Sequence, residues 1–507
     1  MDYRGQGQSR PPQNVCSSIT RKKKANSILK EIRQLWNPCR SAFKRDKSWH
    51  RAKALLLSAL VCVGRHTITG LLCTSARQFQ DWSADYRIFS RARFDPDKIF
   101  TVIRRAVLQS LKPDQPIVTT VDDSILRRTG TRMPGVTYQR DPLGPPFHVN
   151  FVRAQRILQI SAALPPNQNA APARMVPIDF VMAPRPPKPR KDAPEETWKA
   201  YRHKVRHSRV NHVGARRIQK LRRQLDTDEA GQKRALWVTG DGRFTNKPVL
   251  KGLPAHTVFI GRIRGDAKLY HLPSPKDQSA RGRRRVYGHR APTPEALRKD
   301  ETVGWQTVKV FAAGKVHNLR CKTLAPLRWR SAGAEHDLRL IVIAPLAYRP
   351  RKGSKLLYRK PAYLICTDPN LPVDQVIRAY IWRWDIEVNF RDEKQLIGIG
   401  DAQLRSPASV ETAPALFVAA YAILLLAAAR AYGVNGKPDI LPPPKWRPNH
   451  NKPRASTLDL IRHLRCELWG EALRLPRFSG FMDNPTSDQK PQKSNPDLAS
   501  AILYAAG

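Results

Sequence analysis

Carboxylates are scarce in this chain of 507 residues: Asp and Glu together number 41 against 90 Lys and Arg, which leaves a net charge of +49. Cysteine is sparse too, and its seven copies show no CxxC pair or zinc-ligand spacing. That excludes a disulfide framework and points to free thiols in a reducing compartment. The first twenty residues, MDYRGQGQSRPPQNVCSSIT, hold no apolar core of a secretory signal. No apolar run reaches membrane-spanning length; the longest, Ala415 to Ala429, would extend only about 22 Å as a helix, against roughly 30 Å of hydrocarbon, and reads as a buried helix. There is no GxxxxGK[ST] loop, so no nucleotide-triphosphate chemistry is expected, and no internal repeat. These absences predict a cytoplasmic protein.

What is present is cationic charge spread along the whole chain, the footprint of a polyanion partner. A membrane surface is disfavoured, because no basic amphipathic helix stands alone at a terminus and no lipidation motif occurs. Nucleic acid remains, with a ribosome-like structural role as the bland alternative. The length suits about three domains with real cores.

The pattern along the chain divides it into six segments. Residues 1–17 are polar and rich in Gln, Gly and Pro, as in disordered termini. Residues 18–111 alternate apolar stretches such as Ala54 to Val63 with cationic clusters such as Arg21 to Lys24, predicting a basic helical DNA-binding domain. From 112 the texture becomes β. PIVTTVDD (Pro116 to Asp123), FVRAQRILQISAAL (Phe151 to Leu164) and ARMVPIDFVMAP (Ala173 to Pro184) read as three consecutive strands. A basic Pro-rich linker and one long polar helix (195–225) follow, then the strand ALWVTGDG (Ala235 to Gly242). Three strands, a helix and a strand are the opening of an RNase H-like sheet, so 112–272 is the first part of a catalytic α/β domain. HTVFIGRIRGDAKLYHL (256–272) reads as one more strand. Residues 273–362, with the cluster Arg281, Arg283, Arg284 and Arg285, form a mainly β insertion. Residues 363–435 complete the catalytic domain, and 436–507 make a basic Pro-rich tail with one short helix at Thr457 to Leu473.

Two predicted strands end in acids, Asp122 and Asp241. Asp123 is a rival to Asp122, and alternation along the strand lets only one of them face a common site. Both acids have plainer readings, as a turn cap and as a hairpin turn. On the helix expected from Pro372, residues Tyr380, Arg383, Glu387 and Lys394 fall within roughly 60° of one another. Ile377, Ile381, Trp384 and Val388 form an apolar seam beside them. Two-metal phosphodiester chemistry needs about three carboxylates from separate elements around ions roughly 3.5 to 4 Å apart. Asp122, Asp241 and Glu387 are the candidate set, and oxygen donors favour Mg²⁺ or Mn²⁺ over zinc. Tyr380 and Arg383 can hydrogen bond phosphate oxygens, and Lys394 can reach a further phosphate.

YIWRWDIEVNFRDEK (Tyr380 to Lys394) resembles the YREK signature of DDE transposases from bacterial insertion sequences, in the group that cuts both strands through a DNA hairpin. VTTVDDSILRRTG resembles the segment around that family's first Asp, LWVTGDGRFTN the second, and YLICTDPNLPVDQVIRAY the approach to the signature. The similarity runs from about Lys53 to Ala431. It implies that Asp122, Asp241 and Glu387 bind two Mg²⁺ ions, with Mn²⁺ able to substitute. It also implies that Tyr380, Arg383 and Lys394 hold the transposon end. An aromatic residue for base flipping is implied as well, with Tyr363 as the candidate and Trp305 or Trp329 as alternatives. The partners implied are double-stranded DNA, as terminal inverted repeats and target, and a second copy of the chain in the synaptic complex, at the bacterial nucleoid. A catalytically retired DNA-binding descendant and a nuclease without strand transfer are the rivals.

Overall fold

The structure is a computed structural model that describes residues 27–473, apart from 131, 142–143, 146, 148–149, 167–170, 275–283, 313, 352, 439–445 and 447–453. The expected disordered N-terminus, the cluster Arg21 to Lys24, Arg281 and Arg283, and most of the C-terminal tail lie outside the described residues.

Five helices open the described chain: α1 (Ile28–Trp36), α2 (Asp46–Val61), α3 (Ile68–Thr74), α4 (Ser83–Ser90) and α5 (Pro96–Gln109). Side-chain oxygens of Ser27, Thr67 and Asp95 cap α1, α3 and α5, which satisfies backbone N–H groups that a helix start leaves bare. The sheet then begins with β1 (Ile117–Arg127), β2 (Thr137–Arg140), β3 (Phe151–Leu164) and β4 (Arg174–Met182). The short β2 was not expected. The single polar helix expected next is two, α6 (Glu195–Ser208) and α7 (Val210–Asp226), because Arg209 between them has extended backbone angles.

After α8 (Glu229–Gln232) come β5 (Leu236–Gly240), α9 (Lys247–Leu250), β6 (Thr257–Arg262) and β7 (Leu269–His271). The one strand expected over 256–272 is therefore split, with the turn carrying Arg264 and Asp266 between its halves. The insertion supplies α10 (Pro294–Lys299), β8 (Gln306–Ala312), β9 (Lys315–Trp329), β10 (Gly333–Ile343) and the ribbon strands β11 (Ala347–Tyr348) and β12 (Leu357–Tyr358). The chain closes with β13 (Ala362–Cys366), α11 (Val373–Trp382), α12 (Asp385–Gln395), α13 (Pro407–Tyr432) and α14 (Thr457–Leu473).

Eleven strands form one mixed sheet in the order β2-β3-β1-β5-β6-β13-β10-β9-β7, with β4 added to β3 and β8 to β9. The centre, β1-β5-β6, is parallel, and the strands on either side run antiparallel. The β-rich insertion thus extends the catalytic sheet. Helix α7 packs against β1 and β3 and covers one face; α11 and α12 cover the other, with Val376 and Ile377 fully buried. Helix α13 is long and apolar enough to cross a membrane, yet it lies inside the protein, against α1, α2, α4, α5 and β4. Buried residues of the N-terminal helices and of the sheet belong to one continuous apolar cluster.

Helix α12 is fixed by buried polar groups. Asp385 accepts from the Met175 N–H of β4 and from Arg454. Asn389 donates to Ser161 of β3 and accepts from Tyr421 of α13, and Asp392 accepts from Thr457. Glu393 is fully buried beside Gln159, and burial pushes its carboxyl from the ordinary 4.5 up to about 8. Both of its oxygens and Gln159 Oε1 lack hydrogen-bond partners as bare acceptors; a proton on Glu393 gives the pair a donor. The folded chain then keeps a proton that the unfolded chain releases above about 4.5. Stability therefore falls as pH rises from about 4.5 to about 8. Glu393→Gln is expected to remove that slope and to add about 1–4 kcal/mol at the alkaline end. Urea unfolding across the pH range checks this, and a parent protein with no slope in that window would overturn it.

Candidate active site

Asp122 and Asp241 approach one another through sheet register. Strands β1 and β5 are parallel neighbours with Val121 opposite Gly240, so the residue after each stands at the same edge. Gly240 in turn faces Gly261 of β6. A Cβ at Gly261 would lie 2.2 Å from Thr245 Oγ1, the hydroxyl that donates to the Asp241 carbonyl at 2.8 Å. The glycine thus makes room for the turn that sets Asp241. In that turn Asp241 Oδ1 also accepts from the Arg243 N–H, so the expected turn-capping role is present as well.

The choice between Asp122 and Asp123 is made by the strand's alternation. Asp123 points to the face where Arg156 (2.5 Å) and Arg243 (2.9 Å) neutralise it. Asp122 points to the face of α11 and α12, as does Ser124 two residues on, which accepts from Lys394 Nζ at 2.6 Å. Burial and the neighbouring Asp241 push Asp122 up to about 7, while the Asp123 N–H and Arg383 pull the other way.

Arg383 is the cation that faces these acids. Its Nη1 lies 3.4 Å from Asp122 and its Nη2 3.3 Å from Glu387, while its Nε has no partner. Both contacts are longer than the 2.7–2.9 Å usual for charge-assisted pairs, so the guanidinium is a loose wedge between the two carboxylates. Burial would lower its pKa, but Tyr380, Asp122, Glu387 and Asp241 together raise it. The guanidinium also stacks over the Tyr380 ring at 5.6 Å. Burial and Asp241 raise the Tyr380 phenol against the pull of Arg383 and Arg262. Lys394 is lowered, chiefly by burial, with Glu393 opposing.

The expected single helix carrying Tyr380, Arg383, Glu387 and Lys394 is broken. Arg383 and Trp384 form a tight turn with i to i−3 bonds, Arg383 N–H to the Tyr380 carbonyl and Glu387 N–H to the Trp384 carbonyl. Arg383 and Lys394 reach β1 at Asp122 and Ser124, while Tyr380 and Glu387 each contact Arg383. Trp384, expected in the buried seam, is 63 % exposed at the break. Tyr363 does not present a ring face to a base in this conformation. It is 8 % exposed, packs against Gly265 and bonds Glu295 through its hydroxyl. Trp305 lies under Lys322 and Arg320. Trp329 lines a cavity of about 520 Å³ together with Gly242, Arg262, Arg264 and Lys268, directly beside the Asp241 turn. Arg156, Arg243 and Arg262 escaped the sequence reading, although Arg243 follows the GDG turn and Arg262 ends a strand parallel to that of Asp241.

The donors are all carboxylate oxygens, the chemistry that hard divalent cations take. Among the described residues, however, no group of three or more Asp, Glu, His or Cys side chains is close enough to hold a metal ion. Asp122 and Asp241 converge, and Arg383 stands between Asp122 and Glu387. The donor types suit a hard divalent cation, and Arg383 occupies the space between Asp122 and Glu387.

No curated protein matches the chain. A family of DDE superfamily endonucleases matches residues 39–332, more than half of the chain, including Asp122 and Asp241 and stopping short of Glu387. Asp122 lies within β1, which continues to Arg127 past the strand end expected there, Asp241 follows β5, and Glu387 shares Arg383 with Asp122; with the family match over more than half of its length, the chain belongs to the DDE superfamily of endonucleases.

Proposed function

We propose that this protein is a cut-and-paste DNA transposase of the hairpin-forming group, acting as a dimer on the paired ends of an insertion sequence at the bacterial nucleoid. The observation that carries the reading is Arg383 lying between Asp122 and Glu387, with Asp241 at the end of the strand beside that of Asp122. Mg²⁺, or Mn²⁺ in its place, would supply activation of water and stabilisation of the leaving oxygen. Asp122 and Asp241 would hold it, with Glu387 added once the scissile phosphate draws Arg383 away. Arg383 then changes partner from carboxylate to phosphate, for which its planar fork is suited. Tyr380 and Lys394 border the same phosphate path.

Water first opens the phosphodiester at the transposon end and frees a 3′-OH. That hydroxyl displaces a phosphodiester oxygen on the opposite strand and closes a hairpin, water reopens it, and the 3′-OH attacks target DNA. Each step exchanges one P–O bond for another, so no ATP is consumed. Trp329, beside the Asp241 turn, is better placed than Tyr363 to receive a base turned out of the duplex.

The rival is a retired enzyme that binds DNA without cutting, and the observation in its favour is that three acids do not converge as they stand. A plasmid carrying the gene with its flanking DNA, incubated with protein and Mg²⁺, separates the readings. Hairpins and joined products are expected; nicks alone would support a hydrolytic nuclease, and binding without cleavage the retired form. Asp122→Ala, Asp241→Ala and Glu387→Ala should each reduce cleavage to background while DNA binding survives. Full activity in any one removes that residue from the site.

The cation can be followed without catalysis. At about 100-fold above its Kd, Mg²⁺ should stabilise the DNA-free protein by about 2.7 kcal/mol. Asp122→Asn should abolish that response, and Arg383→Gln should bind the ion about tenfold more tightly or better, because a facing positive charge is gone. Thermal melting with increasing Mg²⁺ measures all three. A parent and an Arg383→Gln variant that both ignore the ion would eliminate the cation site.

A further inference from the structure

Between β10 and β13 the chain leaves the main sheet and makes a two-stranded ribbon of its own. Ala347 pairs with Tyr358 and Tyr348 with Leu357, and the Arg359 N–H donates to the Leu346 carbonyl. The tip is a tight turn. The Ser354 N–H donates to the Arg351 carbonyl at 3.1 Å, the Ser354 hydroxyl accepts from the Arg351 N–H, and Gly353 takes φ +82°.

Two features of the ribbon call for a partner. No Asp or Glu occurs between Asp337 and Asp368, while Arg349, Arg351, Lys355, Arg359 and Lys360 do. None of these five has a carboxylate partner among the described residues. Tyr358 is 65 % exposed, and Tyr348, Leu356 and Leu357 are exposed as well. Arg359 lies over the Tyr348 ring at 5.1 Å, which keeps the ring and the charge on one face. A surface that combines unpaired cations with exposed tyrosine rings and two leucines, and carries no acid, matches a polyanion with stackable or sugar-lined edges.

The topology decides which polyanion. Ile343 pairs with Ala362, so the ribbon rises directly from the ends of β10 and β13. Strand β13 is antiparallel to β6, with Leu364 opposite Arg262, and β6 is parallel to β5. The ribbon therefore stands at the same sheet edge as Asp241, two strands away, or about 10 Å. The space between carries Arg262 and Lys360 as cations, while Arg264 is paired with Asp266 and Glu295 lines its far part. Arg262 and Arg264 line the cavity beside Gly242 and also a second one, of about 740 Å³, that reaches Lys360 at the base of the ribbon.

We infer that the ribbon 346–360 is a DNA-holding arm that grips the duplex on the side of the catalytic edge away from β1. The inference rests on the nuclease reading, since it takes the substrate of that edge to be duplex DNA. The arm adds phosphate contacts through Arg351, Lys355 and Lys360 and lays Tyr358 against the groove.

The test uses the full chain and a random-sequence duplex long enough to run past the ribbon. The variant carries Arg351→Ala, Lys355→Ala and Lys360→Ala together. These are exposed side chains outside the carboxylate site, so its melting temperature should equal the parent's. Its plot of log affinity against log salt should be shallower by about 2 to 3, near 0.9 for each phosphate that the variant leaves unneutralised. On a duplex shortened to end at the catalytic edge, parent and variant should coincide. A parent that binds DNA and a variant with the same slope on the long duplex would overturn the arm alone. A parent whose binding ignores salt would overturn the nuclease reading on which the arm depends.

Discussion

Asp122 within β1 and Asp241 just past the end of the parallel neighbour β5 repel one another, and Asp122 is nearly buried. That repulsion is the constraint around which the rest of the structure is arranged. It requires a positive charge from outside the sheet, and α11 ends at the place where Arg383 can supply it. The turn at Arg383 and Trp384 follows from this demand, because the guanidinium must reach Asp122 while staying within one turn of Glu387. The same strand carries a third acid, Asp123, and the sheet deals with it separately by giving it Arg156 and Arg243 on the opposite face. One edge thus holds three aspartates, of which Asp123 alone is paired with two arginines.

Holding Arg383 and Glu387 against β1 asks for a helix that cannot slide. Apolar packing is forgiving of small shifts, whereas hydrogen bonds to fixed partners are not. Helix α12 uses the second device: Asp385, Asn389, Asp392 and Glu393 lie on its buried side and engage β4, β3, α14 and the Gln159 side chain. Thr457 and Tyr421 come from α14 and α13, which ties the helical layer to the position of Glu387. In that sense the long buried helix α13 and the N-terminal helices packed on it form the anvil for the site.

Much of this was legible in the sequence. The β-branched run before Asp122, the strand before Asp241, the opening of the signature helix after Pro372 and the apolar run within α13 all carry local periodicity or composition that tertiary contacts merely reinforce. The four polar residues from Tyr380 to Lys394 were visible as a stripe because helical spacing survives a one-turn break. What could not be read were features set by distant partners. Arg209 and Arg383 interrupt helices without Gly or Pro. Strand β2 is four residues long and exists by pairing with β3. Tyr363 reads as an aromatic near the site, but its burial depends on Gly265 and Glu295, about seventy to a hundred residues upstream. Trp384 sits at an apolar phase of an ideal helix and is turned outward only because the helix breaks there.

The charge imbalance takes on a sharper meaning once the pairs are placed. Several of the few acids are consumed inside: Asp85 by Arg51 and Arg77, Asp179 by Arg217, Asp123 by Arg156 and Arg243. These three acids are matched by five arginines, Arg51, Arg77, Arg217, Arg156 and Arg243, so the large excess of Lys and Arg over Asp and Glu persists. The excess of cations left over is most lopsided along stretches such as 338–367, which hold no acid. A positive surface so lopsided raises the local concentration of phosphate over the whole protein, but it does not select a position on the DNA. Selection has to come from where cations meet acids, and among the described residues the catalytic edge combines both: Arg383 between Asp122 and Glu387, with Arg262 and Arg264 leading away from Asp241. In the proposed reaction, a phosphate drawn along that path would meet Arg383 held only loosely at 3.3 to 3.4 Å, and taking it would leave Asp122 and Glu387 open to a divalent cation.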